Sequence, residues 1–437
     1  EREYLYGNTF RSVLGNISSI TKEDKNYYLS KGYSLDDNVG ISYIEKQYED
    51  ILRGKKAIYN VKDGNKLSLV QEGVRGNDIV LTIDINLQKE VESILSEEIL
   101  RAKKEANTEY YNHSFVVIQK PNSGEILAMS GKQAIYVNGK YEIRDYTPEV
   151  LTSPMTVGSI VKGASMYVGY INNAISIGEY QRDECIKLYS VPKKCSWSTL
   201  GYINDITALA QSSNVYQFKI AMKLAGFDYA YNKKFVINND VFDKYRKTFN
   251  EFGLGVKTEI DLPIESVGNV GNSSSPDLLL NFAIGQYDTY TTMQLSQYMN
   301  TIASNGNRYK PHLLKEVYKS SSTNDLGELD YKVEPIILNT LENPSYIARI
   351  QEGLKAVIKY GTGLNIMGYI DNPAGKTGTS ESFLDTDGDG RVDTPTLSKT
   401  FAGFAPYDNP VMTLTVTSPD LINPNTGIEY SSYANNR

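Results

Sequence analysis

Ser159 and Lys162 follow Gly158 and open an apolar run, Ala164, Met166, Tyr167 and Val168. In a helix this spacing sets the hydroxyl and the amine one turn apart on the same face. A serine hydroxyl is a weak nucleophile at neutral pH, and a lysine that loses its proton in a desolvated pocket can activate it. The positive end of the same helix lies beside Ser159, whose backbone N–H could help to hold an oxyanion. The chain has only two histidines, His113 and His312, so a Ser-His-Asp arrangement or a site with several histidine ligands is disfavoured. Ser19 and Lys22, and Ser190 and Lys193, share the spacing. Pro192 interrupts the second pair, and the first sits in a polar stretch with no core helix after it.

Two further runs carry matching chemistry. Ser212-Ser213-Asn214 follows Ala208-Leu209-Ala210-Gln211, and from a loop between helices its outer hydroxyl and its amide could relay a proton and hold a substrate amide. Taken alone, the run also reads as a helix cap. Lys376-Thr377-Gly378-Thr379 puts a cation and hydroxyls on a strand edge beside a glycine, where a substrate backbone can lie close. Taken alone, it also reads as an ordinary strand.

The elements that must position these groups can be read from periodicity. Residues 1–75 are polar and rich in Gly, Tyr and Lys, and read as a small module; the boundary is placed at Gly76-Asn77-Asp78. The alternating Ile79–Asp84 predicts a strand, and apolar spacing through Leu87, Val91, Ile94, Leu95 and Ile99 predicts an amphipathic helix. Phe115–Ile118 and Glu125–Met129, joined through Pro121-Asn122-Ser123-Gly124, predict a hairpin. Further strands come far downstream, at 375–379, 400–404 and 411–416, with mostly helical sequence between. The expected class is α+β, one antiparallel sheet closed around an inserted helical region.

Composition narrows the function. The 437-residue chain is 40% hydrophobic and 22% charged, with 45 Lys plus Arg against 52 Asp plus Glu, a net charge of −7. Such a chain is globular, expected to hold more than one folded unit, and a poor match for nucleic acid. No run of about 18 apolar residues appears, so the chain is either soluble or has lost a leading anchor.

The order Ser-x-x-Lys, Ser-x-Asn, Lys-Thr-Gly resembles the signature set of penicillin-binding proteins and serine β-lactamases. Leu81-Thr82-Ile83-Asp84, Ser123–Met129, Phe252-Gly253-Leu254-Gly255, Ile260-Asp261-Leu262-Pro263, Gly285-Gln286 and Gly361-Thr362-Gly363 resemble the class B penicillin-binding proteins in particular. Elongation- or sporulation-type enzymes of a Gram-positive bacterium are the expected group. The resemblance implies a five-stranded antiparallel sheet packed by helices with a helical subdomain, residues 76–437, beside a non-catalytic pedestal or dimerisation module, residues 1–75. It implies a serine D,D-transpeptidase that cross-links peptidoglycan stem peptides and is the target of β-lactams.

By the same resemblance, Ser159 would be the nucleophile, Lys162 the base, Ser212 the relay to the leaving amine and Asn214 the holder of the acyl amide. Lys376 and Thr377 would bind the terminal carboxylate, and the N–H groups of Ser159 and Thr379, beside Gly378, would form the oxyanion hole. No cofactor is required. The parent would be held on the outer face of the bacterial membrane by an N-terminal helix missing here, with a polytopic glycosyltransferase as the family's expected partner. Rival readings are a D,D-carboxypeptidase or β-lactamase of the same fold, or an impaired β-lactam sensor or wall-binding scaffold. Met155-Thr156-Val157 before the nucleophile and Tyr287-Asp288 after Gln286 depart from the family pattern.

Two metal sites are candidates. Asp183, Cys185, Cys195 and His312 would suit tetrahedral zinc, although a disulfide or two unrelated thiols fit the cysteines equally. Asp385, Asp387, Asp389 and Asp393 match the first nine positions of an EF-hand calcium loop, with Thr396 where the bidentate glutamate belongs; an acidic hairpin tip is the alternative.

Overall fold

The computed structural model describes residues 3–62, 66–238, 240–323, 325–364 and 366–426. The chain forms two compact units, and they do not follow a single cut at 75/76. The first unit gathers Glu1–Asp84, Ile260–Ile264 and His312–Glu334, and the second holds the rest. Backbone pairing explains the difference. The strand Asp78–Leu81 pairs antiparallel with Leu314–Tyr318, which pairs in turn with Leu329–Lys332. A strand cut from that ladder would leave its N–H and C=O groups without partners. Asp261 fastens the same unit, its carboxylate accepting from the N–H of Leu313 at 2.7 Å and Leu314 at 2.9 Å and from the Tyr48 hydroxyl.

The second unit is built on one antiparallel sheet. Its strands are β1 (His113–Gln119), β2 (Ile126–Val137), β3 (Lys140–Asp145), β4 (Ala374–Leu384), β5 (Thr394–Ala405) and β6 (Met412–Ile422), in the order β4-β5-β6-β1-β2-β3. Among the described residues the sheet therefore has six strands rather than the expected five. The added strand arises because β2 continues past Met129 and turns back at Asn138-Gly139, both at positive φ (50° and 85°). Asn-Gly accepts that conformation readily and forms the tight two-residue hairpin turn.

Alternation along the strands splits their side chains between two faces. Val116, Ile118 and Val416 pack with Leu95, Ile99 and Ala102 of helix α1 (Ile85–Ala102). Gln88 of α1 fixes that contact, donating to the Met129 carbonyl at 2.9 Å and accepting from its N–H at 2.9 Å. The opposite face, through Thr417 and Gln119, hydrogen-bonds Thr292 and Ser296 of the fully buried helix α5 (Thr292–Ala303).

Three more helices frame the chemistry: α2 (Lys162–Ile171), α3 (Asp205–Ala210) and α4 (Asn214–Leu224). Helix α6 (Pro344–Tyr360) packs against both β4 and α3. Asp205, 1% exposed, ties three of them together. It accepts from Arg349 of α6 at 2.8 and 3.0 Å, from the Tyr170 hydroxyl of α2 at 2.7 Å, and from the Gly178 N–H at 2.9 Å. Removing one member of a buried, hydrogen-bonded ion pair leaves the other charged and unpaired. Arg349→Ala is therefore expected to lower stability by about 3 kcal/mol or more. Urea unfolding checks this, and a loss within ~0.5 kcal/mol, the range of ordinary surface changes, would show that Asp205 does not depend on Arg349.

Candidate active site

The nucleophile candidate is placed by a clamp on the residues before it. Gly158 starts a 3-10 turn, Gly158–Val161, that runs directly into α2, so Ser159 and Lys162 stand one turn apart as the spacing predicts. The Gly158 N–H donates to the Gly285 carbonyl at 2.9 Å. Strand β4 holds the other side. Ser380 donates to the Thr156 carbonyl at 2.7 Å, Thr156 donates to the Glu381 carbonyl at 2.9 Å, and Thr400 of β5 donates to the Val157 carbonyl at 3.1 Å. Ser159 is partly exposed while Gly158, Ile160 and Val161 are buried. Its hydroxyl is thus presented from a rigid base.

Lys162 and Lys376 are both fully buried, and they meet at one hydroxyl. The Lys162 amine donates to Ser212 Oγ at 3.2 Å, to the Ser212 carbonyl at 2.7 Å and to Asn214 Oδ1 at 2.6 Å. The Lys376 amine donates to Ser212 Oγ at 3.0 Å and to the Thr377 carbonyl at 2.9 Å. Ser212 sits in the turn between α3 and α4 with φ at 53°, a conformation uncommon for a non-glycine residue and one that recurs at functional sites. Burial, and then the neighbouring Lys376 charge, push the Lys162 amine well below the ordinary lysine range, with Asp183 opposing; burial alone brings Lys376 down to about 7. Two amines sharing one buried hydroxyl are costly to hold charged together, so their protons are coupled.

Sequence reasoning named Ser159, Lys162, Ser212, Asn214 and Lys376, and the structure brings the last four into direct contact around Ser212, with Ser159 one turn from Lys162. Thr377, Gly378 and Thr379 lie on β4, paired with Phe401, Thr400 and Lys399 of β5. The Thr377 hydroxyl bonds that of Thr362 at 2.8 Å, and Lys399 donates to Thr379 Oγ1 at 3.1 Å. An open cavity of about 880 Å³ reaches the site at Asn214 and is lined further by Thr156, Gln286 and Glu381. The residues that sequence reasoning missed are the clamps Thr156, Ser380 and Thr400, hydroxyl side chains whose partners are backbone carbonyls distant in the chain.

The zinc expectation is overturned. Cys185 and Cys195 form a disulfide, so neither offers a thiolate, and Asp183 is engaged by the hydroxyls of Ser196 and Ser213. His312 lies in the first unit with Nδ1 on the Leu314 carbonyl at 2.8 Å. Of the calcium residues, Asp385, Asp387 and Asp389 come together, and Asp393 is not part of the group. Their carboxylates accept N–H groups of the loop itself. Thr396 lies on β5, bonded to Asp420 at 2.5 Å, because the chain leaves the loop as a strand rather than as the helix that follows an EF-hand loop.

Residues 114–432 match the penicillin binding protein transpeptidase domain, and residues 1–81 match the penicillin-binding protein dimerisation domain. The chain is 42% identical over 431 residues to penicillin-binding protein 2A of Bacillus subtilis, covering 96% of this chain and 60% of that protein. It is 34% identical over 441 residues to penicillin-binding protein 2B of Streptococcus pneumoniae, covering 95% and 63%. The solved structure of penicillin-binding protein 2B from S. pneumoniae strain R6 superposes with a TM-score of 0.86 at 31% identity, covering 95% of this chain and 69% of that one. The chain thus spans about three fifths of the length of the curated relatives it matches.

Proposed function

Because the chain belongs to the class B penicillin-binding proteins, with a transpeptidase domain joined to a dimerisation domain, we propose that it cross-links peptidoglycan stem peptides through an acyl-enzyme on Ser159. The observation that carries this reading is the pair of buried amines on Ser212. An uncharged Lys162 amine has two N–H groups, for which the Ser212 carbonyl and Asn214 Oδ1 are ready acceptors at 2.7 and 2.6 Å. Its lone pair is then available for a hydroxyl proton.

In the proposed cycle, Ser159 Oγ attacks the penultimate D-alanine carbonyl as Lys162 takes its proton. The oxyanion is met by the N–H groups of Ser159 and Thr379. Lys376 and the Thr377 hydroxyl hold the terminal carboxylate, and Asn214 holds the acyl amide. The C–N bond breaks, the terminal D-alanine leaves with a proton passed through Ser212, and an amine of a second stem peptide takes the acyl group from Ser159. The last step returns the serine hydroxyl and forms the cross-link. No cofactor enters the cycle.

The same reading puts the chain's activity on the outer face of a bacterial membrane, beside a glycan-polymerising partner. Among the described residues, no helix is long and apolar enough to cross a membrane. The experiment that tests the reading is covalent labelling by a penicillin, with the adduct expected on Ser159.

A further inference from the structure

The Ser212-Ser213-Asn214 turn rests on a segment that no step of the cycle uses. Gln181–Asp183 pairs antiparallel with Gly201–Ile203. Between them the disulfide joins Cys185 to Cys195, and Ile186 and Lys194 exchange backbone hydrogen bonds at 2.8 and 3.0 Å. This closed hairpin reaches the turn at several points. The Cys195 carbonyl accepts from Asn214 Nδ2 at 3.3 Å, Ser196 Oγ accepts from the N–H of Asn214 at 3.0 Å and of Val215 at 3.2 Å, and Trp197 Nε1 donates to the Gln211 carbonyl at 2.7 Å.

Asp183 completes the contact from below. Its carboxylate, 2% exposed, accepts from Ser196 Oγ at 2.8 Å and from Ser213 Oγ, and Ser213 in turn caps α4 by accepting from the Tyr216 N–H at 2.9 Å. Among the described residues, no lysine or arginine forms an ion pair with Asp183, yet its charge acts on the buried Lys162 amine. A buried carboxylate held by hydroxyls rather than by a cation keeps much of its field.

We propose that the disulfide-closed hairpin is a positioning element of the acyl-transfer site, with Asp183 as a positioning residue that seats Ser213 and, through it, the start of α4. The hairpin also fixes the Asn214 amide. Its Nδ2 is taken by Cys195, so its Oδ1 must point toward Lys162. The inference rests on the reading of Ser159 and Lys162 as the acylating pair.

The test is the second-order rate of acylation by a fluorescent penicillin, measured across pH and referred to the folded fraction from circular dichroism. Wild type is compared with Asp183→Asn, Asp183→Glu and Cys185→Ser/Cys195→Ser. The charges that act on Lys162 are those of Lys376, which lowers its proton affinity, and Asp183, which raises it to a smaller extent. Removing the carboxylate lets the amine lose its proton at lower pH, so the rising limb of the profile moves to lower pH in Asp183→Asn and back in Asp183→Glu. Both Asp183→Asn and the double serine variant are expected to acylate on the order of ten- to a hundredfold more slowly, the scale of a small misplacement of catalytic groups.

Should a variant fail to fold, wild type reduced under conditions that preserve its circular dichroism, then reoxidised, gives the same comparison: a reversible loss of rate supports the proposal. Folded variants that acylate at the wild-type rate with an unmoved limb would overturn it and leave the disulfide as a staple for stability alone. A wild-type protein that is never acylated would instead remove the reading on which the proposal rests.

Discussion

Lys162→Met is expected to slow penicillin acylation of Ser159 on the order of a thousandfold, within the range that a positioned general base contributes. Methionine fills nearly the same space with an apolar chain, so the loss reports the amine rather than a cavity. In the wild type the base is ready because burial and Lys376 hold its proton affinity down. The rate should therefore rise with pH through a value well below the ordinary lysine range, as the amine becomes neutral. It should fall again as Lys376, itself brought down by burial, loses the charge that holds the carboxylate of substrate or drug. The variant keeps the falling limb and loses the rising one. A variant that labels within tenfold of wild type, with both limbs intact, would assign the base elsewhere.

Gly158→Ala is the second change with a large expected effect, and it acts through the backbone alone. Gly158 has φ at +61°, and a Cβ there would lie 2.3 Å from the Thr379 carbonyl oxygen and 2.8 Å from its carbon. No side-chain movement relieves a contact with backbone. The left-handed conformation costs a further ~1 kcal/mol for alanine. Either the nucleophile turn swings away from β4 or the strand gives way, and both break the hydrogen bonds from Ser380 and Thr400. The expected result is a stability loss on the order of 3 kcal/mol and acylation slowed more than about a hundredfold by misplacement of Ser159. Urea unfolding and penicillin labelling read the two separately. Wild-type values in both would mean that the turn does not lean on β4 as described.

The chemistry of the site was legible because each motif is short and its geometry local. Ser159 and Lys162 share a helical face by spacing alone, and Lys376 announces itself on an alternating strand. What joins them was not legible. The clamp between Thr156, Ser380 and Thr400 links residues on either side of a long helical insertion, and hydroxyl-to-carbonyl bonds leave no periodicity in sequence. The strand Leu314–Tyr318 belongs with Asp78–Leu81 through a pairing that crosses most of the chain, so a boundary drawn from local composition at 75/76 could not include it.

Two misreadings have different causes. The sixth strand was signalled by Asn138-Gly139 between alternating residues, with Tyr136 and Tyr141 directly opposite each other across the turn, and reading β2 as ending at Met129 hid it. The cysteines were ambiguous from spacing alone, since thiols ten residues apart suit a knuckle or a bridge. The hairpin register decides the matter. Pairing Ile186 with Lys194 brings the Cα atoms of Cys185 and Cys195 to 4.2 Å, just short of the usual range for a disulfide and close enough for the bridge.

Ser159 is expected to form an acyl-enzyme, and the intact mass of the protein after incubation with a penicillin reads this out. The expected result is a mass increase of one drug molecule that persists for hours, maps to the peptide carrying Ser159, and is absent in a folded Ser159→Ala protein. An adduct that clears within minutes would make the chain a β-lactamase. No adduct at saturating drug, or an adduct that survives Ser159→Ala, would rule out Ser159 as the nucleophile.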